Sequence, residues 1–194
     1  GAGRLPGHER YPEGVAAIAN RARGLGASEE EIGEAVAVAY YMGGMPALVT
    51  GASRGIGRVT AIGLAKRGAT VVGTARNLDA SPGTGGTLRE TFETISAAGG
   101  KGLPVAGSIT EPAPVQALID RTVAEFGRID LLVNNAGVHP LVSITEMTDE
   151  AWTEMIAVNV TAVFLLTRGV VPVMKRQHSG HILGISSAAG ARNP

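Results

Sequence analysis

Thr50-Gly51-Ala52-Ser53-Arg54-Gly55-Ile56-Gly57 has the composition of a turn built to meet an anion. It follows an apolar run, Ala47–Thr50, and opens a helical periodicity at Gly55–Arg67. A phosphate at a helix N-terminus needs backbone amides directed at it and no Cβ in the way. Gly51 permits a sharp turn out of a strand, Gly55 lets a ligand approach the backbone, and Gly57 allows tight packing of helix on strand. Ala52, Ser53, Arg54 and Ile56 complete the cradle. Further along, Arg76 ends the apolar run Thr70–Ala75. Two guanidiniums, Arg54 and Arg76, can make charge-assisted contacts to a single phosphate. His178 and His181 stand three apart near a loop, a spacing that could hold a metal, but no third ligand stands nearby, and a polar helix end explains them better. No metal site is expected.

The elements that must position these residues alternate in type. Apolar runs at Ala47–Thr50, Thr70–Ala75, Gly102–Ala106, Asp130–Val133 and His181–Ser186 are separated by helical periodicities at Gly55–Arg67, Gly86–Ala98, Glu111–Phe126 and Asp149–Gln177. Strand–helix alternation with short connections predicts βαβ units, and so an α/β fold: a Rossmann-like, doubly wound parallel sheet covered on both faces. Met155–Met174 is apolar enough to raise a membrane reading, but Asn159, Arg168 and Pro172 interrupt it, and a helix covering the sheet fits better.

The turn TGASRGIG resembles the cofactor motif of the short-chain dehydrogenases/reductases, and the resemblance runs from residue 46 to 194. Asn134-Asn135-Ala136-Gly137 follows the fourth strand and is similar to that family's NNAG motif, which stabilises the sheet and lines the adenosine ribose region. The resemblance therefore implies a nicotinamide cofactor held by Gly51, Ala52, Ser53, Arg54, Gly55, Ile56, Gly57, Asn135, Ala136 and Gly137. A site for NAD(H) usually ends the second strand on a carboxylate that accepts from the ribose 2′-hydroxyl and would repel a 2′-phosphate. Arg76 stands there instead, so NADP(H) is favoured over NAD(H). After the third strand the family usually has an Asp that meets the adenine amino group, and this chain has Ser108.

Reduction of a carbonyl requires a proton donor for the developing alkoxide and a group to hold the oxygen. The family meets this need with a Tyr whose pKa is lowered by a Lys, a Ser on the carbonyl, and an Asn in a water relay. By resemblance, Ile182-Leu183-Gly184-Ile185-Ser186-Ser187 carries the serine at Ser187, and Met155-Ile156-Ala157-Val158-Asn159 carries the asparagine at Asn159. The family's Tyr-x-x-x-Lys would follow Ser187, whereas the three tyrosines, Tyr11, Tyr40 and Tyr41, all precede the first strand. The expectation is an N-terminal portion of such an enzyme, one that does not turn over as it stands. The alternatives are a nucleotide-binding module without catalysis, or a chimera whose first 45 residues confer an interaction.

Composition sets the outer bounds. The chain has 194 residues, 44% hydrophobic, with 28 glycines, enough for one packed α/β domain and an appendage. Seventeen basic residues balance seventeen acidic ones, which gives no sign of a nucleic-acid or anionic-membrane partner. The absence of cysteine excludes disulfides and thiolate chemistry. The expected partner is a small carbonyl or alcohol substrate, the expected assembly a homo-oligomer, and the expected compartment the cytoplasm, since no signal peptide is visible. Residues 1–45 are read as an extension before the 46–194 domain. Within it, Ser28-Glu29-Glu30-Glu31 makes a capping box ahead of Ile32, Ala35, Val36 and Ala39. The stretch 26–45 resembles a helix of the carboxymuconolactone decarboxylase-like family. That family's reactive Cys-x-x-Cys pair has no counterpart here, so no chemistry carries over.

Overall fold

The computed structural model describes residues 44–79 and 85–186. The capping box at Ser28 and the helix predicted after it lie outside the described residues, as does Ser187.

Five parallel strands form one sheet in the order β3-β2-β1-β4-β5. They are β1 (Pro46–Thr50), β2 (Thr70–Ala75), β3 (Lys101–Ala106), β4 (Leu131–Asn134) and β5 (His181–Gly184). The helices between them are α1 (Gly55–Lys66), α2 (Leu88–Ala97), α3 (Pro112–Phe126), α4 (Asp149–Ile156) and α5 (Ala162–Gln177). The chain winds outward from β1 through β2 to β3, then returns past β1 to β4. The topological switch, where such sheets receive ligands, therefore lies between β1 and β4.

Strand periodicity sorts the core into two layers. Ala47, Val49, Val71, Leu131 and Val133 pack beneath α1 and α2 with Ala61, Leu88, Phe92 and Ile95. Their neighbours in sequence, Leu48, Val72 and Leu132, face the other way, against Val115, Leu118 and Ile119 of α3 and Leu165, Leu166 and Val170 of α5.

Most boundaries fall within a residue or two of those predicted, and the differences have local causes. Pro46 opens β1, where a residue without N–H is tolerated, and its carbonyl accepts from Asp130 N–H at 2.9 Å. Helix α2 starts at Leu88 because Thr87 closes a capping box with Glu90: Thr87 Oγ1 accepts from the Glu90 amide at 3.0 Å, and the Thr87 amide donates to Glu90 Oε2 at 3.1 Å. The strand predicted to run to Ser186 ends at Gly184, although Ile185 N–H still donates to Asn134 O at 2.9 Å.

The largest difference lies in the stretch predicted as one helix, Asp149–Gln177. A π-helical turn, Ala157–Thr161, divides it into α4 and α5. By length and composition this run could cross a membrane, but Leu165, Leu166, Val170, Val173 and Met174 are buried against the sheet. The helix ends at His178, in a left-handed conformation (φ 54°), and the Gln177 side chain grips both backbone groups of Ile129, at 2.8 and 2.9 Å. His178 is thus a helix end, and among the described residues no cluster of three or more His, Asp or Glu could hold a metal.

Candidate cofactor cleft

The glycine turn leaves β1 through Gly51, whose φ of +67° favours a residue without a side chain. A Cβ on Gly51 would also stand 2.9 Å from Asn135 Nδ2 and 3.1 Å from Ala136 Cα. A Cβ on Gly57 would collide with the Gly51 carbonyl and the Asn135 amide. Both glycines are therefore required by the approach of the NNAG segment. Gly55 differs: its φ is +53° and a Cβ there would meet nothing within 4 Å. Helix α1 begins beside it with no side-chain cap from Arg54 and no acidic residue in its first turn. Its first amides and the positive end of its dipole are thus uncompensated by side chains.

Asn135 and Thr50 lock the turn to β4. Asn135 Nδ2 donates to Thr50 O at 2.8 Å and lies 3.4 Å from Gly51 O. The backbone amides of Asn135 and Ala136 donate to Thr50 Oγ1, at 3.0 and 2.9 Å, and Thr50 Oγ1 donates to Val133 O at 3.3 Å. Thr50 is 1% exposed. Sequence reasoning gave it no role, although a hydroxyl ending an otherwise apolar strand was the available signal. Thr91 gives a second unforeseen brace, donating to Ala52 O at 2.9 Å.

Above this brace, Gly51, Asn135 and Ala136 line a cleft of about 1180 Å³ at the C-terminal ends of the strands. Of the residues singled out from the sequence, Gly51, Ser53, Arg54, Arg76, Asn135, Ala136 and Gly137 line it. Ala52 is buried beneath the turn, where its Cβ limits the space beside Gly73. Gly55, Ile56 and Gly57 do not line the cleft, and the Ile56 side chain is exposed. Ser108 does line it, with Oγ 2.9 Å from Thr110 Oγ1 and accepting from the Thr110 amide at 3.2 Å. Arg76 Nη1 lies 3.5 Å from Glu154 Oε1 on the facing helix α4.

Asn159 sits in the π-helical turn and uses both ends of its amide on one residue. Its Nδ2 donates to Val138 O at 2.8 Å, and Val138 N–H donates to its Oδ1 at 2.9 Å. A Cβ on Gly137 would come within 3.3 Å of that Oδ1. In this structure the side chain therefore braces the segment after the NNAG motif.

A cradle of glycines at a helix N-terminus, a cleft at the topological switch and two arginines on its wall fit a dinucleotide cofactor. The chain matches the short chain dehydrogenase family over residues 46–194. It is 40% identical over 147 residues to the 3-oxoacyl-(acyl-carrier-protein) reductase FabG of Escherichia coli (strain K12), covering 76% of this chain and 56% of that protein. Over 145 residues it is 35% identical to the hydroxysteroid dehydrogenase-like protein 2 of Bos taurus, covering 75% of this chain and 35% of that one. A metagenomic short-chain oxidoreductase solved with NADP superimposes with a TM-score of 0.71 at 40% identity, over 79% of this chain and 66% of that one. A short-chain type dehydrogenase/reductase from Mycobacterium marinum gives 0.72 at 34% identity, over 79% and 60%. The chain thus spans little more than half the length of FabG. It belongs to the short-chain dehydrogenase/reductase family, whose members are oxidoreductases.

Proposed function

We propose that the chain carries the cofactor-binding part of an NADP(H)-dependent oxidoreductase acting on a small carbonyl compound or secondary alcohol. The observation that carries this reading is that Arg54 and Arg76 line the same cleft as the glycine turn, with Arg76 where an NAD(H) site would usually hold a carboxylate. When bound, the nicotinamide cofactor supplies or accepts the hydride. Gly51, Ser53 and Arg54, which line the cleft just ahead of α1, hold the pyrophosphate through their backbone amides, and the two guanidiniums take the 2′-phosphate. Asn135, Ala136 and Gly137 shape the ribose wall. Ser187 donates a hydrogen bond to the substrate oxygen, and Asn159 keeps the adjoining segment in place.

No tyrosine follows Tyr41 within residues 1–194, so in this reading the proton donor is not among them. These residues alone bind cofactor but do not turn over, and a segment supplying Tyr-x-x-x-Lys restores activity; general acid catalysis typically contributes about 10²–10⁴-fold. A cytoplasmic homo-oligomer is the setting that fits this reading. The test is cofactor binding followed by fluorescence, beside NADPH oxidation with a panel of ketones. NADPH is expected to bind more tightly than NADH, with Arg76→Asp reversing or erasing the preference at a cost of about 1.5–3 kcal/mol in NADPH binding. Equal affinity for both cofactors, unchanged by the substitution, overturns the assignment. Robust turnover by residues 1–194 overturns the account of the missing acid.

A further inference from the structure

The wall facing the arginines has the wrong charge for a phosphorylated ligand. Asp149, Glu150, Thr153, Glu154, Ala157 and Val158 line the cleft from α4 and the π turn, a helical spacing that turns three carboxylates toward the space a polyanion would enter. Two of the acidic groups around the cleft are already engaged. Asp79, on the rim, is held by Arg89 in a two-point pair at 2.6 and 3.1 Å. Glu150 is held by its own backbone amide and by the Thr148 side chain at the start of α4. Glu154 is different, because its partner is Arg76, a residue of the phosphate-binding wall.

The pair reaches from the end of β2 to α4 by a single contact of 3.5 Å, with side chains 73% and 56% exposed. A pair of that length and exposure is weak and readily exchanged. We propose that Glu154 is a specificity-determining residue: a tethered carboxylate that occupies Arg76 and thereby weakens the cleft's selection for a 2′-phosphate. The proposal rests on the reading of Arg76 as the 2′-phosphate contact. An incoming 2′-phosphate must draw Arg76 away from Glu154 and then tolerate a like charge beside it. A 2′-hydroxyl does neither. The preference for NADP(H) over NAD(H) is therefore the difference between an arginine that favours the phosphate and a glutamate that opposes it.

Adenosine 2′,5′-bisphosphate and AMP report this difference in calorimetric titrations of the chain, without any need for turnover. Glu154→Gln is expected to tighten the bisphosphate roughly two- to fivefold at low salt, the range set by an exposed ion pair, and to leave AMP unchanged. Glu154→Ala should do the same if the charge, and not the shape, is responsible. The gain should shrink at about 0.5 M salt, where exposed charges are screened, and most of it should vanish in an Arg76→Ala background. Bisphosphate affinity that is unaltered by Glu154→Gln while Arg76→Ala still weakens it overturns the role of Glu154 and leaves the NADP(H) reading standing. A gain that survives intact without Arg76 overturns it equally. If the parent binds both probes alike and Arg76→Ala changes neither, the NADP(H) reading falls, and this proposal with it.

Discussion

The floor of the cofactor cleft and the outer edge of β5 are both built from strand ends, yet they are finished in opposite ways. Beneath the cleft, Thr50, Asn135 and Ala136 satisfy one another through hydrogen bonds of 2.8–3.0 Å, and Gly51 and Gly57 leave no room for a methyl group. At β5, every residue of the strand is exposed, including Ile182 and Leu183 at 43% and 50%. The neighbouring Asn134 side chain has its buried Oδ1 without a hydrogen-bond partner among the described residues. Leu141 and Ile144, in the segment between Val138 and α4, are more exposed still. The half around the glycine turn is closed and self-satisfied, whereas the half at β5 and the segment after Val138 presents apolar surface. Substitutions should therefore act through fold stability on the first side and through association on the second.

Gly57→Ala is expected to have the largest effect. Its methyl would enter the Gly51 carbonyl and the Asn135 amide, backbone and braced side chain that cannot swing aside. Overpacking of this kind should cost about 2–3 kcal/mol, read by urea denaturation, with loss of cofactor binding. A fully stable Gly57→Ala protein would show that the NNAG segment is less tightly fixed than the geometry implies. Next comes Thr50→Val, which keeps the shape but strips two half-buried amides of their acceptor. A loss of about 2 kcal/mol is expected, with Thr50→Ser retaining most of the stability. On the other side of the comparison, the double substitution Ile182→Lys with Leu183→Glu should move the unfolding free energy by no more than about 0.5 kcal/mol. Exposed apolar strand edges promote pairing between chains, so the parent is expected to self-associate or be poorly soluble and the charged variant less so, as sedimentation would show. A monodisperse parent that melts cooperatively contradicts this.

The closed half was the legible half. Its signals are local: a glycine spacing next to an apolar strand, and alternation of strand and helix patterns, place β1, α1 and the NNAG turn to within a residue or two. What escaped the sequence is what depends on distant partners. A π turn has the same composition as the α-helix around it, so nothing in Met155–Asn159 shows that the asparagine amide will be taken up by Val138, 21 positions earlier. Thr50 was visible as a residue but not as a hub, because its partners arrive only when β4 is laid beside β1. The Arg76–Glu154 pair joins a strand end to a helix across the cleft, and each partner alone reads as an ordinary surface charge.

The smallest expected effect is at the rim, where the cleft is fastened by exposed charge and not by buried bonds. A side-chain hydrogen bond from Arg89, reinforced by its charge and opposed by slight desolvation, holds the Asp79 carboxyl below its ordinary 3.8. A carboxylate whose pKa is lowered by folding stabilises the native state above the unfolded value and loses that contribution as pH falls through the folded one. Asp79 is fully exposed, so solvent screening keeps the effect slight. Comparing thermal midpoints of the parent and Asp79→Asn across pH isolates it. The parent should be marginally the more stable near neutrality, and the two should converge as the pH drops below 3.8. High salt at neutral pH should narrow the gap in the same direction. A difference that persists at low pH would mean that the asparagine disturbs the rim by its shape, and that the rim is fastened by packing like the floor beneath it.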